Sequence, residues 1–243
     1  MPQILVDVSF VVLVLACAAL VLRAVGVAWR ERPARAVGVA ALALTGWLAL
    51  IAAVSASGVL TPTPDRVPPN LPVLAVTMTL MLVLTLGPVG RRITERIRPH
   101  WLISFQLFRV PVELILFALA VNGLGPTLLS FEGRNFDIVT GLTAPVAAWL
   151  MLRKPGKALV IGWNLLGLAL LLNVLIHAVL SMPGPMQQIF TQPGPEVVAT
   201  VPYIWLPAFL VPLAFAGHLL SLRQALRPAA RGATELESAA VIA

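Results

Sequence analysis

The chain has 243 residues, 59% of them hydrophobic and 11% charged, with a mean hydropathy of +0.93 and a net charge of +7. Soluble domains carry about 25% charged residues, so this composition excludes an ordinary water-soluble globule and points to the lipid bilayer as the solvent. The excess of arginine does not signal nucleic acid, because no basic stripe interleaves with aromatic residues.

A spanning helix needs about 20 apolar residues, and the chain offers seven such runs. The first, 4–24, has no cationic residue before it, so it reads as a retained span and not as a cleaved signal peptide. Its cysteine, Cys17, is the only one in the chain and leaves no intrachain disulfide to form. The second run, about 36–60, is rich in Ala and Gly, which lets helices approach closely. A Pro-rich loop, 61–72, leads to the third run at 71–90. The fourth is 101–123, the fifth 136–152 and the sixth 158–182. A long loop with Pro-Gly-Pro at 183–185 and 193–195 follows, with room for a short helix at 186–191. The seventh run is 202–222, and the tail, 223–243, reads as disordered. The expected fold is an all-α membrane protein, a seven-transmembrane-helix bundle.

Orientation follows from the basic residues. Arginines and lysines crowd the loops after the first, third, fifth and seventh runs, whereas the alternate loops hold only Arg66 and Arg134 among five acids. The N-terminus is therefore expected outside and the C-terminus in the cytoplasm, with the bacterial inner membrane as the location.

Gln106, Arg109 and Glu113 lie at i, i+3 and i+7 inside the fourth run, on one helix face. A charged residue at a helix centre costs about 2.5–3.5 kcal/mol on the insertion scale, so these face the bundle interior, where Arg109 and Glu113 are expected to pair. Asn173 and His177 on the sixth run and His218 on the seventh are the other intramembrane polar candidates for ligand binding. The stretch FEGRNFD supplies Glu132, Arg134, Asn135 and Asp137 as an outer gate, with Asn135 capping the fifth helix. Below it, Gly141, Ala144 and Ala148 form a small face for close packing. His177 and His218 lie roughly 20 Å apart in depth at 1.5 Å per residue, too far to share one haem. No metal-binding motif occurs, and no cofactor is expected. Both lysines, Lys154 and Lys157, fall in a cytoplasmic loop, where no retinal could be attached.

The segments FRVPVEL, FEGRNFDIVTGLTAP and VPYIWLPAFLVPLAFAGHLLSLRQ together resemble a family of uncharacterised small seven-span bacterial membrane proteins. The resemblance covers about 101–224 and implies a multi-pass membrane protein without an activity. From the residues, the expected function is binding or transport of a small polar or anionic molecule at the Arg109, Glu113 and Gln106 site. One alternative is an intramembrane enzyme on a lipid-like or terpenoid substrate, with Glu113 as general acid. The other is a non-catalytic assembly subunit.

Overall fold

The structure, a computed structural model, describes residues 2–153 and 156–227, and among these every regular element is helical. The long helices are α1 (Gln3–Ala28), α2 (Pro33–Ala56), α3 (Asn70–Leu86), α4 (Pro88–Arg96), α5 (Pro99–Ser104), α6 (Arg109–Val121), α7 (Ile138–Arg153), α8 (Lys157–Ser181) and α9 (Val211–Ala225), with α5 and α6 joined through a 3-10 turn, Phe105–Phe108. Five helices, counting 99–121 as one, are long and apolar enough to cross a membrane. α3 and α4, bent by 60° at Gly87–Pro88, make a sixth if taken together, and α7 is a shorter apolar helix. Residues 223–225, expected in the tail, continue α9, while 228–243 lie outside the described residues.

The chain alternates between two ends. One end carries the turn at 29–32, α4 with residues 97–98, the end of α7, the start of α8 and the end of α9; the other carries the loops 57–69, 122–137 and 182–205. At the first end Glu31 accepts from Arg92 and from Arg96 (3.0 Å), and Glu95 meets Arg91 (3.0 Å) and Arg227 (3.4 Å). At the second end Ser55 donates to Ala199 O at 2.7 Å, which ties the 183–201 loop to α2. That loop has no helix at 186–191; its regular piece is the 3-10 turn Pro195–Ala199. A proline at 185 and another at 193 remove backbone donors on both sides of the expected helix.

α9 is the most enclosed of the long helices and packs on α3, α5 and α8. Prolines decide how it is held. Pro212 has no N–H for the carbonyl of Ala208, one turn earlier; the Trp47 indole donates to that carbonyl at 3.0 Å. The preceding Leu206–Leu210 turn widens to π geometry. At the α3–α4 bend Pro88 has no backbone N–H to offer, and Arg223 donates to Thr85 O (2.5 Å) and to Gly87 O (2.8 Å), which also accepts the Arg91 N–H at 3.1 Å, the arrangement favoured by a cation at a helix C-terminus.

The distribution of side chains is inverted relative to a soluble protein. Leu42 is 78% exposed, Val39 64% and Leu152 63%, while Gln106, Arg109, Glu113, Asn164 and His218 are buried.

Candidate functional site

The site is built around the bent rod 99–121. Pro111 cannot donate to the Leu107 carbonyl, and the turn before it tightens to 3-10 geometry before α6 resumes at Arg109. Arg109 sits ten residues into the rod, about 15 Å along it at 1.5 Å per residue, with its guanidinium enclosed among α6, α7 and α9.

Two partners hold that guanidinium. Nη2 lies 2.6 Å from Asp137 Oδ1, an ion pair and not a well-directed hydrogen bond. Nη1 lies 2.9 Å from His218 Nε2. Arginine has donors only, so His218 Nε2 accepts, and the neutral ring carries its proton on Nδ1. That N–H meets Asn164 Oδ1 at 2.9 Å. Asn164 in turn donates from Nδ2 to Ser221 Oγ (2.9 Å) and Val160 O (2.8 Å). A chain of four side chains thus runs from mid-bundle toward the basic end.

On the other side of Arg109, Asn135 organises the loop before α7. Its Nδ2 donates to Glu113 Oε1 (2.5 Å) and Leu129 O (3.0 Å), and its Oδ1 accepts the Asp137 N–H (3.1 Å). The loop can fold this tightly because Gly133 has no side chain: a Cβ there would stand 2.2 Å from Thr127 O. Two further glycines make room for the network. A Cβ on Gly141 would lie 2.7 Å from Val110 Cγ2, and one on Gly167 would lie 2.3 Å from His218 Cε1. Gly141, Ala144 and Ala148 are all buried where α7 meets the 99–121 rod.

Several expected site residues fall elsewhere. Arg109 and Glu113 form no ion pair with each other: Asp137 holds the arginine and Asn135 holds the glutamate. Glu113 points up its helix toward the 127–137 loop, where Asn135 reaches it, and Asp137 enters from the start of α7 at arginine height. Gln106 faces α9 and donates to Ala214 O at 2.9 Å. Asn173 donates to Arg134 O (2.6 Å) and His177 Nδ1 lies 2.8 Å from Asn173 O, so these two join the outer loop and not the buried chain. Of the four outer-gate residues, Asn135 and Asp137 turn inward while Glu132 and Arg134 are exposed. Asn135 bonds the N–H of Asp137, ahead of α7, instead of capping the helix itself.

Asn164 and Ser221 were not singled out as site residues from the sequence. Asn164 shares α8 with Asn173 and His177, and a buried amide in an apolar helix needs partners; that was the available signal. The buried polar atoms without a hydrogen-bond partner among the described residues include Arg109 Nε, Glu113 Oε2, Gln106 Oε1 and Thr140 Oγ1. Among the described residues no group of three or more His, Cys, Asp or Glu is placed to hold a metal. A large apolar cavity lies between α1, α2, α3 and α9, and neither Arg109 nor Glu113 lines it.

The family described as a domain of unknown function (DUF8737) matches residues 68–226. No curated protein and no solved structure matches the chain. Every residue of the buried network lies within the matched stretch, and α1 and α2 lie before it.

Proposed function

The chain belongs to the DUF8737 family, which brings no assigned activity, and from that premise we propose a seven-span protein of the bacterial inner membrane, N-terminus outside and C-terminus cytoplasmic, that binds and carries a small anion at Arg109. The seven spans are α1, α2, the bent α3–α4, the 99–121 rod, α7, α8 and α9 with its π turn. α7 has 16 residues, about 24 Å, against a hydrocarbon core of about 30 Å. It counts as a span because the chain must return through it from the 122–137 loop to the basic end. The exposed leucines and valines along the helix flanks support the bilayer as their surroundings, and the clustering of cations at one end supports the orientation.

One observation carries the anion reading. The counter-ion of Arg109 is Asp137, which belongs to a separate element that opens onto the outer loops, and not a residue of the same helix. An anion arriving from that side competes with Asp137 for the guanidinium. A proton taken up by Asp137 ends the competition, so anion and proton uptake are coupled in this reading. Glu113 on α6 and Thr140 on α7 add buried polar atoms without a hydrogen-bond partner on the two helices beside Arg109.

The test is reconstitution in vesicles, with uptake of inorganic phosphate, sulfate and acetate measured under an imposed pH gradient. The wild type is expected to take up at least one of them. The double variant Arg109→Met/Asp137→Leu removes both halves of the ion pair and is expected to fold without transporting. Unchanged uptake by the double variant sinks the proposal. A second reading, a packing or assembly subunit, is favoured by the close packing around Arg109; it predicts a double variant that folds and complements a deletion strain fully. The enzymatic reading draws little support, since Glu113 does not line the large cavity.

A further inference from the structure

Between α1, α2, α3, α4 and α9 lies an apolar cavity of about 800 Å³. Leu84, Phe105 and Leu213 are among its walls, and small residues such as Ala43 on α2 and Gly217 on α9 set those walls back. α2 packs along α1 and touches the π turn before α9, but it barely meets α3. The cavity is lined from both of those helices, so it opens sideways between them.

Its rim at the basic end is cationic. Arg32 and Arg35 line the cavity where α2 begins. Both are exposed, and neither has an ion-pair partner among the described residues. The neighbouring arginines differ: Arg92 and Arg96 share Glu31, and Arg91 and Arg227 share Glu95. The described acids of this end, Glu31 and Glu95, are therefore engaged elsewhere, and among the described residues no acid pairs with the two positive charges above the cavity.

We propose that this cavity holds one phosphate-headed membrane lipid, with a tail among the apolar walls and the phosphate against Arg32 and Arg35. The size fits: a methylene is about as large as a water, whose share of the liquid is about 30 Å³, so the space accommodates on the order of twenty-five methylenes. The sideways opening admits a chain from within the bilayer, and basic residues at a membrane surface attract anionic lipids. A soluble anion would have no use for the apolar depth. A neutral amphiphile would leave both arginines without a counter-charge. The proposal takes from the functional reading only that the helices lie in a bilayer; it is independent of Arg109.

Trp29 and Trp47 line the cavity, which gives a direct readout. The full chain is reconstituted in phosphatidylcholine vesicles containing a rising fraction of phosphatidylglycerol with brominated chains, bromine being a quencher of indole fluorescence. Brominated phosphatidylcholine serves as the neutral comparison. The expected result is quenching that saturates at a lipid fraction roughly thirtyfold lower for the anionic lipid, as two arginines at a membrane surface would produce. Trp47→Phe should remove much of the saturable component. The double variant R32Q/R35Q should lose the preference for phosphatidylglycerol while remaining folded, since both side chains are exposed. Ala43→Phe, which fills the cavity, should weaken saturable quenching by both lipids, and the double variant Arg109→Met/Asp137→Leu, which strands no charge, should leave the preference unchanged. Equal quenching that tracks the bulk fraction of either lipid overturns the proposal, as does a preference that survives R32Q/R35Q. Absence of any quenching, as when another protein covers the opening, overturns it too. A chain that fails to enter vesicles at all refutes the bilayer reading instead.

Discussion

Arg109 donates to His218 across 2.9 Å, and the contact fixes which ring nitrogen bears the proton. With Nε2 accepting, Nδ1–H is left for Asn164. Nitrogen NMR of a His218-labelled sample should therefore show the Nδ1–H tautomer. His218→Phe leaves a buried guanidinium N–H and the Asn164 carbonyl unpartnered. At about 1–3 kcal/mol for each stranded group, the loss should be about 2–6 kcal/mol, measured as a lower unfolding midpoint in detergent.

The Gly167→Ala variant tests the same contact from the opposite side. Its Cβ would meet His218 Cε1 at 2.3 Å, and the ring cannot step aside because both nitrogens are held. Overpacking of this kind costs about 1–3 kcal/mol. A double variant that also carries His218→Ala should recover the steric part of that loss. Full stability of Gly167→Ala alone would contradict the placement of the ring.

Asp137→Leu should be more harmful than Glu113→Leu. Removing the partner of a buried ion pair costs about 3–5 kcal/mol, and the partner of Arg109 is Asp137. Adding Arg109→Met should restore most of the loss in Asp137→Leu. Thermal unfolding of the four proteins decides the ranking; equal damage from both single variants would return Glu113 to the role of counter-ion.

At the basic end, Glu31 links the turn after α1 to α4. Its carboxyl lies below the usual glutamate range, held there by its own backbone hydrogen bond, then by its bonds and charge contacts with Arg92 and Arg96 against some desolvation. A group with a lowered folded value stabilises fully above the unfolded value, about 4.3 for Glu, and loses that contribution as pH falls through the folded one. Melting temperature should therefore fall in acid below about pH 4, and Glu31→Gln should flatten that part of the profile. The effect should be small and salt-sensitive, because the pair is exposed.

Topology can be read with cysteines placed in a Cys17→Ala background. Residues 65 and 134 should react with an impermeant maleimide in intact cells, and residues 95 and 227 only after permeabilisation. Reaction of residue 95 in intact cells would reverse the orientation.

The helices were readable because the chain is written in long apolar runs, with turns marked by Arg and Pro. The burial of Gln106, Arg109 and Glu113 was readable too, since polar groups sharing one face of an otherwise apolar helix gain by turning inward to partners. Their partners were not. Helical spacing put Glu113 one turn from Arg109 and made that pair the natural guess, yet Asp137 reaches the arginine from 28 positions away because Gly133 lets the intervening loop fold inward. Spacing along one helix reports shared faces; it cannot report where a loop delivers a side chain. Asn164 was passed over because its amide does not reveal its partners until its neighbours on α9 are known. The bend at Gly87–Pro88 was missed because the third run was carried on to residue 90, past a Gly-Pro pair that marks a break.

The amide of Asn164 has one further consequence. Both of its N–H bonds are committed, to Val160 and Ser221, so its oxygen must face His218. His218 must then face Arg109 with its lone pair, and every donor from Arg109 to Ser221 points toward the basic end. The row has a head and a tail. No member can turn around alone without setting donor against donor, so reversal is a collective event. The interior of this bundle thereby has a built-in sense of direction along the axis of the helices.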